Sequence, residues 1–179
     1  MKKPMYRLCC LSLLMSSLVG AAFAAQPKPT PDYAQMAKQS ADVGATYLTA
    51  YFQKDWATLD KLLAENATFA DPTATRLFGA AGKTGKAVIM QAFRENYAPI
   101  SFDFQQERSW GAIDHVVFTG QLSWTYQLQK GQLVVEKMPM MVVLQIVDGQ
   151  VVSHLDYADY RPYFAAEAAH RRTEKPAGE

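Results

Sequence analysis

The chain has 179 residues, of which 49% are hydrophobic and 20% charged, and its formal net charge is +1. These are ordinary values for a globular protein, and the length favours a single domain. Three basic residues, Lys2, Lys3 and Arg7, lie in an amino-terminal segment without acids, and without them 15 basic residues face 17 acidic ones. This balance argues against nucleic acid or an anionic membrane surface as a partner.

The amino terminus has the pattern of a secretory signal peptide, which we assign to residues 1–24. The three basic residues precede a short apolar run, Leu8–Val19, and Ala22-Phe23-Ala24 is a small-residue cleavage site. The run is too short to span a bilayer stably, although an uncleaved anchor is the alternative. We predict a periplasmic or secreted protein with no membrane contact after cleavage. Cys9 and Cys10 would leave with the signal, so the mature chain would form no disulfide.

The next part of the chain predicts helices. Residues 25–32 form a Pro-rich, flexible lead-in. Apolar residues at helical spacing then predict three helices. The first covers about residues 32–54, the second runs from an N-cap at Asp55 to Asn66, and the third ends at about Tyr97. Between the second and third helices, Ala67–Ala70 predicts a short strand that Pro72 stops, and Thr73–Phe78 predicts another.

After Pro99 the apolar period changes to two residues, which is typical of strands. Four strands are predicted, over 100–110, 113–128, 133–147 and 151–160. Short turns at Lys130-Gly131 and Asp148-Gly149 favour antiparallel pairing, and Pro139 predicts a bulge in the third of these strands. The polar tail, residues 164–179, begins with a helical pattern.

This order predicts an α+β fold, in which a curved antiparallel sheet wraps around about three N-terminal helices and forms a cone with an internal pocket. The domain would span residues 33–163. Concave apolar spaces of this kind bind small molecules. A lipocalin-like barrel is the alternative fold, but it would need more strands and fewer helices.

Four features of the sequence carry a resemblance to a known family. They are Tyr47, the segment Asp55–Pro72, the G-K-x-x-I start at Gly85, and the strand V-V-S-H-L-D-Y at Val151–Tyr157. In this order and spacing the chain resembles the nuclear-transport-factor-2-like superfamily, and within it the SnoaL-like and ketosteroid isomerase-like proteins. The resemblance covers about residues 33–163.

The resemblance implies catalytic residues. Asp71 stands in the A-T-x-x-D-P context of the isomerase's general base, and Tyr47 stands where that family has its oxyanion-hole tyrosine. The isomerase's protonated aspartate is not carried over, because the matching region holds Met141 and Val142. SnoaL-like enzymes instead carry polar residues on the last strand, where this chain has His154 and Asp156, which share one face of that strand.

Each of these residues also has a structural interpretation. Asp71 could simply open a turn before Pro72, and Tyr47 could be a core tyrosine. The last strand is mixed on both faces, so its pattern leaves open whether His154 and Asp156 face the interior or an outer surface. For the ligand-binding walls we predict Trp124, Met90, Phe93 and Met140. Core filling is the alternative role of the methionines.

We predict no metal site, because the chain has no ligand set at a suitable spacing, and no cofactor, because phosphate-binding and nucleophile motifs are missing from the sequence. The predicted partner is a small apolar molecule. Two functions remain open. One is a cofactor-free isomerase or cyclase-type enzyme that transfers a proton on an apolar carbonyl compound. The other is a non-catalytic ligand-binding module of the same fold, or one that forms a homodimer through its outer sheet face.

Overall fold

The computed structural model describes residues 32–129 and 131–174. The predicted signal peptide, most of the lead-in, Lys130 and residues 175–179 lie outside the described residues. The described elements, in chain order, are α1 (Tyr33–Gln53), α2 (Trp56–Leu62), β1 (Leu63–Ala70), α3 (Pro72–Phe78), β2 (Lys83–Thr84), α4 (Lys86–Tyr97), β3 (Ile100–Ala112), β4 (His115–Gln127), β5 (Gln132–Val147), β6 (Gln150–Ala158) and α5 (Arg161–Glu174).

Side-chain caps start the first two helices. The Asp32 carboxylate accepts the backbone N–H of Gln35 at 3.1 Å, and the Asp55 carboxylate accepts that of Thr58 at 3.1 Å. The predicted N-cap at Asp55 is therefore confirmed. Each cap satisfies an N–H that has no partner within its own helix, which fixes where the helix begins.

The strand predicted at Thr73–Phe78 is wrong, because this segment is helix α3. The Asp71 carboxylate accepts the N–H of Ala74 at 2.7 Å, and Pro72 occupies the first turn, where its missing N–H costs nothing. Gly79 ends the helix with φ 70°, a left-handed conformation that glycine adopts without strain. Asp71-Pro72 is thus a helix start, and the apolar residues that follow it, Ala74, Leu77 and Phe78, have helical spacing.

The six strands of the described chain form one curved sheet with the order β2-β1-β6-β5-β4-β3. The four long strands pair antiparallel with their sequence neighbours, as predicted. The sheet as a whole is mixed, because β1 pairs with β6 in parallel. The chain leaves β1 through α3 and α4 and returns beside it only at β6, so this pair is joined by a long crossover rather than a hairpin.

The predicted bulge at Pro139 is displaced in the structure. Strand β5 continues through Pro139, which pairs with Gln121 of β4. The register shifts just before it, where Leu122 pairs with Met138 and Trp124 pairs with Val135. Lys137 in between has φ 52°. Strand β5 therefore has one residue more than β4 over this stretch. An extra residue of this kind bends a strand, and this bend lies beside the inner-face residues that surround the cavity described below.

The helices pack on the inner face of the sheet and form one hydrophobic core, so the predicted α+β fold is confirmed. Fully buried members come from both layers: Leu59, Leu63, Ile89, Val142, Leu144 and Val151. The helical start predicted for the tail is also confirmed, since α5 packs against β5. Within residues 32–129 and 131–174, no helix combines the length and apolarity needed to cross a membrane.

Candidate active site

His154 and Asp156 face the interior. They lie two residues apart on β6, and only 0% and 3% of their surfaces are exposed. Alternation along the strand points both side chains to the same side, where α1 covers them. The face that the sequence pattern left open is therefore decided by packing: both polar side chains are buried beneath aromatic rings.

The His154 imidazole is held at both nitrogens. Its Nε2 lies 2.7 Å from Oδ1 of Asp156, and its Nδ1 lies 3.0 Å from the hydroxyl of Tyr47. An ionised carboxylate can only accept, so Nε2 carries the proton in this bond, and a neutral ring then accepts the Tyr47 hydroxyl proton at Nδ1. Tyr47 thus orients the imidazole, and the imidazole orients Asp156.

A second chain of donors reaches the other carboxylate oxygen. The Tyr51 hydroxyl donates to Oδ2 of Asp156 at 3.1 Å, and it lies 3.0 Å from the hydroxyl of Tyr97. A hydroxyl has one proton, and that of Tyr51 goes to Asp156, so Tyr97 is the donor in the bond between the two tyrosines. Asp156 is the acceptor at which both chains end.

These tyrosines remain protonated at neutral pH. Burial raises the pKa of Tyr47 well above its usual value, and the negative charge of Asp156 raises it further. The same two causes, in the same order, raise the pKa of Tyr51 and of Tyr97. A buried phenolate beside a carboxylate would be doubly unfavourable, so the hydroxyls act as donors.

Asp156, Tyr51 and Tyr97 line a cavity of about 260 Å³ between the helices and the sheet. Its other walls are mainly apolar and include the side chains of Phe52, Phe69, Phe102, Leu122, Trp124, Met138 and Met140. A small number of convergent polar groups in an otherwise apolar space is the usual composition of a small-molecule site.

Asp71 and Tyr160 supply a second polar group to the same cavity. The Tyr160 hydroxyl donates to Oδ2 of Asp71 at 2.6 Å, and Oδ1 accepts the N–H of Ala74 and the hydroxyl of Thr73. Burial raises the pKa of Tyr160, and its hydrogen bond to Asp71 raises it further. Two carboxylates therefore border one cavity, each with a tyrosine hydroxyl as donor.

The predicted site residues divide into three groups. Asp71, Asp156, Trp124 and Met140 line the cavity. Tyr47 and His154 lie behind it, in contact with Asp156 rather than with the open space. Met90 and Phe93 are 1% and 2% exposed and belong to the core, where Phe93 packs against Tyr51 and Phe69.

Sequence reasoning missed three tyrosines of the site, Tyr51, Tyr97 and Tyr160. Tyr51 lies one helical turn after Tyr47, so its position on the same face could have revealed it. Tyr97 is the last residue of α4 and Tyr160 lies between β6 and α5, and no local pattern connects them to Asp156 or Asp71. In residues 32–129 and 131–174, no three His, Cys, Asp or Glu side chains are grouped in a way that could hold a metal ion.

The fold and the buried site define the class of this protein: a cone-shaped α+β domain of the nuclear-transport-factor-2-like type with carboxylate and tyrosine side chains on the wall of its cavity. The model of the SnoaL-like domain family matches residues 45–154, which is more than half of the chain. The protein belongs to the SnoaL-like family.

Several solved structures share this fold. A candidate SnoaL-like polyketide cyclase from Shewanella putrefaciens superposes with a TM-score of 0.65 at 21% identity, over 73% of this chain and 97% of the other. A Mycobacterium tuberculosis epoxide hydrolase of the LEH-like type gives 0.59 at 14% identity, over 76% and 95%. A candidate ketosteroid isomerase from Kribbella flavida gives 0.53 at 19%, over 69% and 79%. No curated protein matches the chain in sequence.

Proposed function

We propose that this protein binds a small, largely apolar carbonyl compound in the cavity of about 260 Å³ and transfers a proton between its carbon atoms without a cofactor. The observation that carries the proposal is the position of Asp71 and Asp156 on one apolar cavity, each held by a tyrosine donor. The named activities of the structural relatives differ, so they support a small-molecule enzyme only in general. The signal-like amino terminus adds the proposal that this chemistry takes place outside the cytoplasm.

Asp156 is the proton acceptor in this proposal. A carboxylate offers about four acceptor positions. Asp156 uses two of them, for His154 and Tyr51, whereas Asp71 uses three, for Thr73, Ala74 and Tyr160. Asp156 therefore has more free capacity for a proton, and its surroundings are more completely buried. Asp71 fixes the wall of the cavity, at the start of α3.

The proton is taken from the carbon next to the carbonyl group. The electrons of that C–H bond form a carbon–carbon double bond, and the carbonyl oxygen becomes an enolate oxygen. Tyr97 turns its hydroxyl from Tyr51 to this oxygen, and a donor in that position stabilises the developing charge. Protonated Asp156 then returns the proton to the same carbon or to another carbon of the conjugated system.

The test uses 4-methylcyclohexanone in D₂O and follows exchange of its α-protons by NMR. The protein should accelerate exchange, and Asp156→Asn should lower the rate constant by about 100-fold or more, because positioned general bases contribute about 10²–10⁴. The matched control is Asp114→Asn, a carboxylate that borders a different depression of the surface. An unchanged rate in Asp156→Asn would contradict the role of this residue.

Asp71→Asn separates the two assignments of the base. If Asp71→Asn abolishes exchange while Asp156→Asn retains it, proton transfer stands but Asp71 is the base. If the wild type binds the ketone but does not accelerate exchange, the protein is the non-catalytic ligand-binding module that the sequence also allows.

A homodimer through the outer sheet face is the second candidate function. Paired residues form an apolar row across this face, from Trp110 on β3 through Val117 and Val143 to Leu155 on β6. Trp110 is 53% exposed, which is unusual for a side chain of its size. Light scattering of the wild type and of Val143→Glu tests the proposal: a dimer that becomes a monomer supports it, and a wild-type monomer contradicts it.

A further inference from the structure

A second cavity adjoins the site described above. It measures about 720 Å³ and lies between helix α5 and the ends of strands β3, β4 and β5. We call it the outer groove, and its lining residues are Ile100, Trp124, Tyr126, Leu128, Gln129, Leu133, Tyr163, Glu167, His170 and Arg171. The cavity of about 260 Å³ that contains Asp156 is called the inner cavity.

The two spaces share walls. Ile100 and Trp124 line both the inner cavity and the outer groove. Trp124 is stacked on Tyr163 of α5, with ring centroids 5.9 Å apart and ring planes 21° apart. The side chains of Ile100 and Trp124 therefore form a wall common to the groove and the inner cavity, and Tyr163 of α5 packs against this wall.

The chemistry of the outer groove favours an uncharged apolar occupant. The residues that the sheet contributes to the groove are apolar or aromatic: Ile100, Trp124, Tyr126 and Leu133. The charged side chains come from α5, and there Arg171 forms an ion pair with Glu167 at 2.8 Å. Since these opposite charges compensate each other, the groove offers an anionic or cationic ligand no net attraction from this pair.

The volumes point in the same direction. The inner cavity alone lies slightly below the range of about 300–1,000 Å³ that is typical of small-molecule sites, and the outer groove brings the combined space into the upper part of that range. We infer that the substrate is an elongated molecule, with a carbonyl-bearing head in the inner cavity and an apolar tail that passes Trp124 into the outer groove. This inference rests on the proposed function and specifies its substrate class.

The experiment measures dissociation constants by calorimetry for 4-methyl-, 4-butyl- and 4-octylcyclohexanone. Burial of each additional methylene group strengthens binding about fourfold at best, and an open groove captures only part of this gain. We expect the octyl compound to bind the wild type about 30-fold or more tightly than the methyl compound. Equal affinities along the series would overturn the inference.

Two variants fill the outer groove without touching the inner cavity. Leu133→Trp and Gln129→Trp should each remove the gain from the longer tail and leave the affinity for 4-methylcyclohexanone unchanged. The matched control is Val134→Trp, next to Leu133 in sequence but on the opposite face of β5, where it should preserve the gain. A full gain in both groove variants would place the tail elsewhere and overturn the inference.

The matching 4-alkylcyclohexanols distinguish this inference from the proposed function. If alcohols and ketones bind equally and show the same groove-dependent gain, the elongated apolar ligand is supported and the carbonyl specificity fails. If the ketones exchange protons at a rate that depends on Asp156 but bind with the same affinity whatever the length of their tail, the proposed function is supported and the elongated substrate is overturned.

Discussion

The hydroxyl of Tyr160 donates to Asp71 at 2.6 Å, although the two residues are 89 positions apart in the chain. The bond ties the start of α3 to the segment that joins β6 to α5. Thr73 strengthens the same connection, because its hydroxyl donates to Asp71 and accepts the N–H of Ala158 at 3.0 Å. One wall of the inner cavity is therefore closed by a polar cluster rather than by apolar packing alone.

Removal of the Tyr160 hydroxyl should weaken this closure. We expect Tyr160→Phe to lower the free energy of unfolding by about 1 kcal/mol, since a partly exposed hydrogen bond to a carboxylate is lost while the ring remains. Urea denaturation measures the effect. The control is Tyr163→Phe, because the ring of Tyr163 contacts that of Tyr160 and remains in place when its hydroxyl is removed. This change should alter stability by less than about 0.5 kcal/mol. Equal effects of both changes would show that the bond is not stabilising.

Asp71 has a structural role that can be separated from any chemical one. Asparagine caps helices about as well as aspartate, whereas alanine cannot accept the N–H of Ala74. We expect Asp71→Ala to be less stable than Asp71→Asn by about 1 kcal/mol, as measured by thermal and urea unfolding. If the two variants are equally stable, the cap does not hold α3 in place.

The buried tyrosines predict a loss of stability at high pH. The pKa of Tyr47 and that of Tyr51 are raised in the folded state, so their contribution is complete below the unfolded pKa of about 10 and is lost as the pH rises above that value. In that range the unfolded chain releases protons that the folded chain retains. Each such group lowers the unfolding free energy by about 1.4 kcal/mol per pH unit.

The variant Tyr47→Phe tests this linkage. Urea denaturation at several pH values between about 9 and 11.5 gives the unfolding free energy as a function of pH. Above pH 10 this free energy should fall less steeply in the variant than in the wild type, by about 1.4 kcal/mol per pH unit. Near pH 7 the variant should be less stable by about 1–3 kcal/mol, because Nδ1 of buried His154 loses its partner. Parallel curves above pH 10 would contradict the raised pKa of Tyr47.

Gly120 permits the close approach of β3 to β4 beside the cavity. A methyl group at this position would collide with the carbonyl oxygen of Gln105 and lie 2.9 Å from the ring of Phe104. We expect Gly120→Ala to lower stability by about 2–3 kcal/mol through overpacking. Gly149→Ala is the control, because that residue has φ 76° but no neighbour within 4 Å, so backbone strain alone should cost about 1 kcal/mol. A smaller loss in Gly120→Ala than in the control would mean that the strands separate easily.

The sequence by itself determined the fold class, the family and most of the elements. These follow from local physics: apolar spacing distinguishes helices from strands, and a carboxylate at Asp55 satisfies the free N–H groups of a helix start. The strand prediction failed at Thr73–Phe78, a segment too short for its apolar residues alone to distinguish a strand from a helix. There the proline and the Asp71 cap stabilise a helix instead, and the effect of a cap depends on a side-chain geometry that the spacing of apolar residues does not contain.

Only the tertiary structure decided which polar residues meet. Strand β6 is mixed on both faces, and its pairing with β1 and β5 turns His154 and Asp156 inward. Tyr51 reaches Asp156 across 105 residues, and Tyr160 reaches Asp71 across 89. Hydrogen bonds at such separations leave no periodic trace in a sequence, because each depends on the packing of several elements at once. The candidate site therefore depends on sheet register and helix placement, whereas the helices and strands that build it follow from the local sequence.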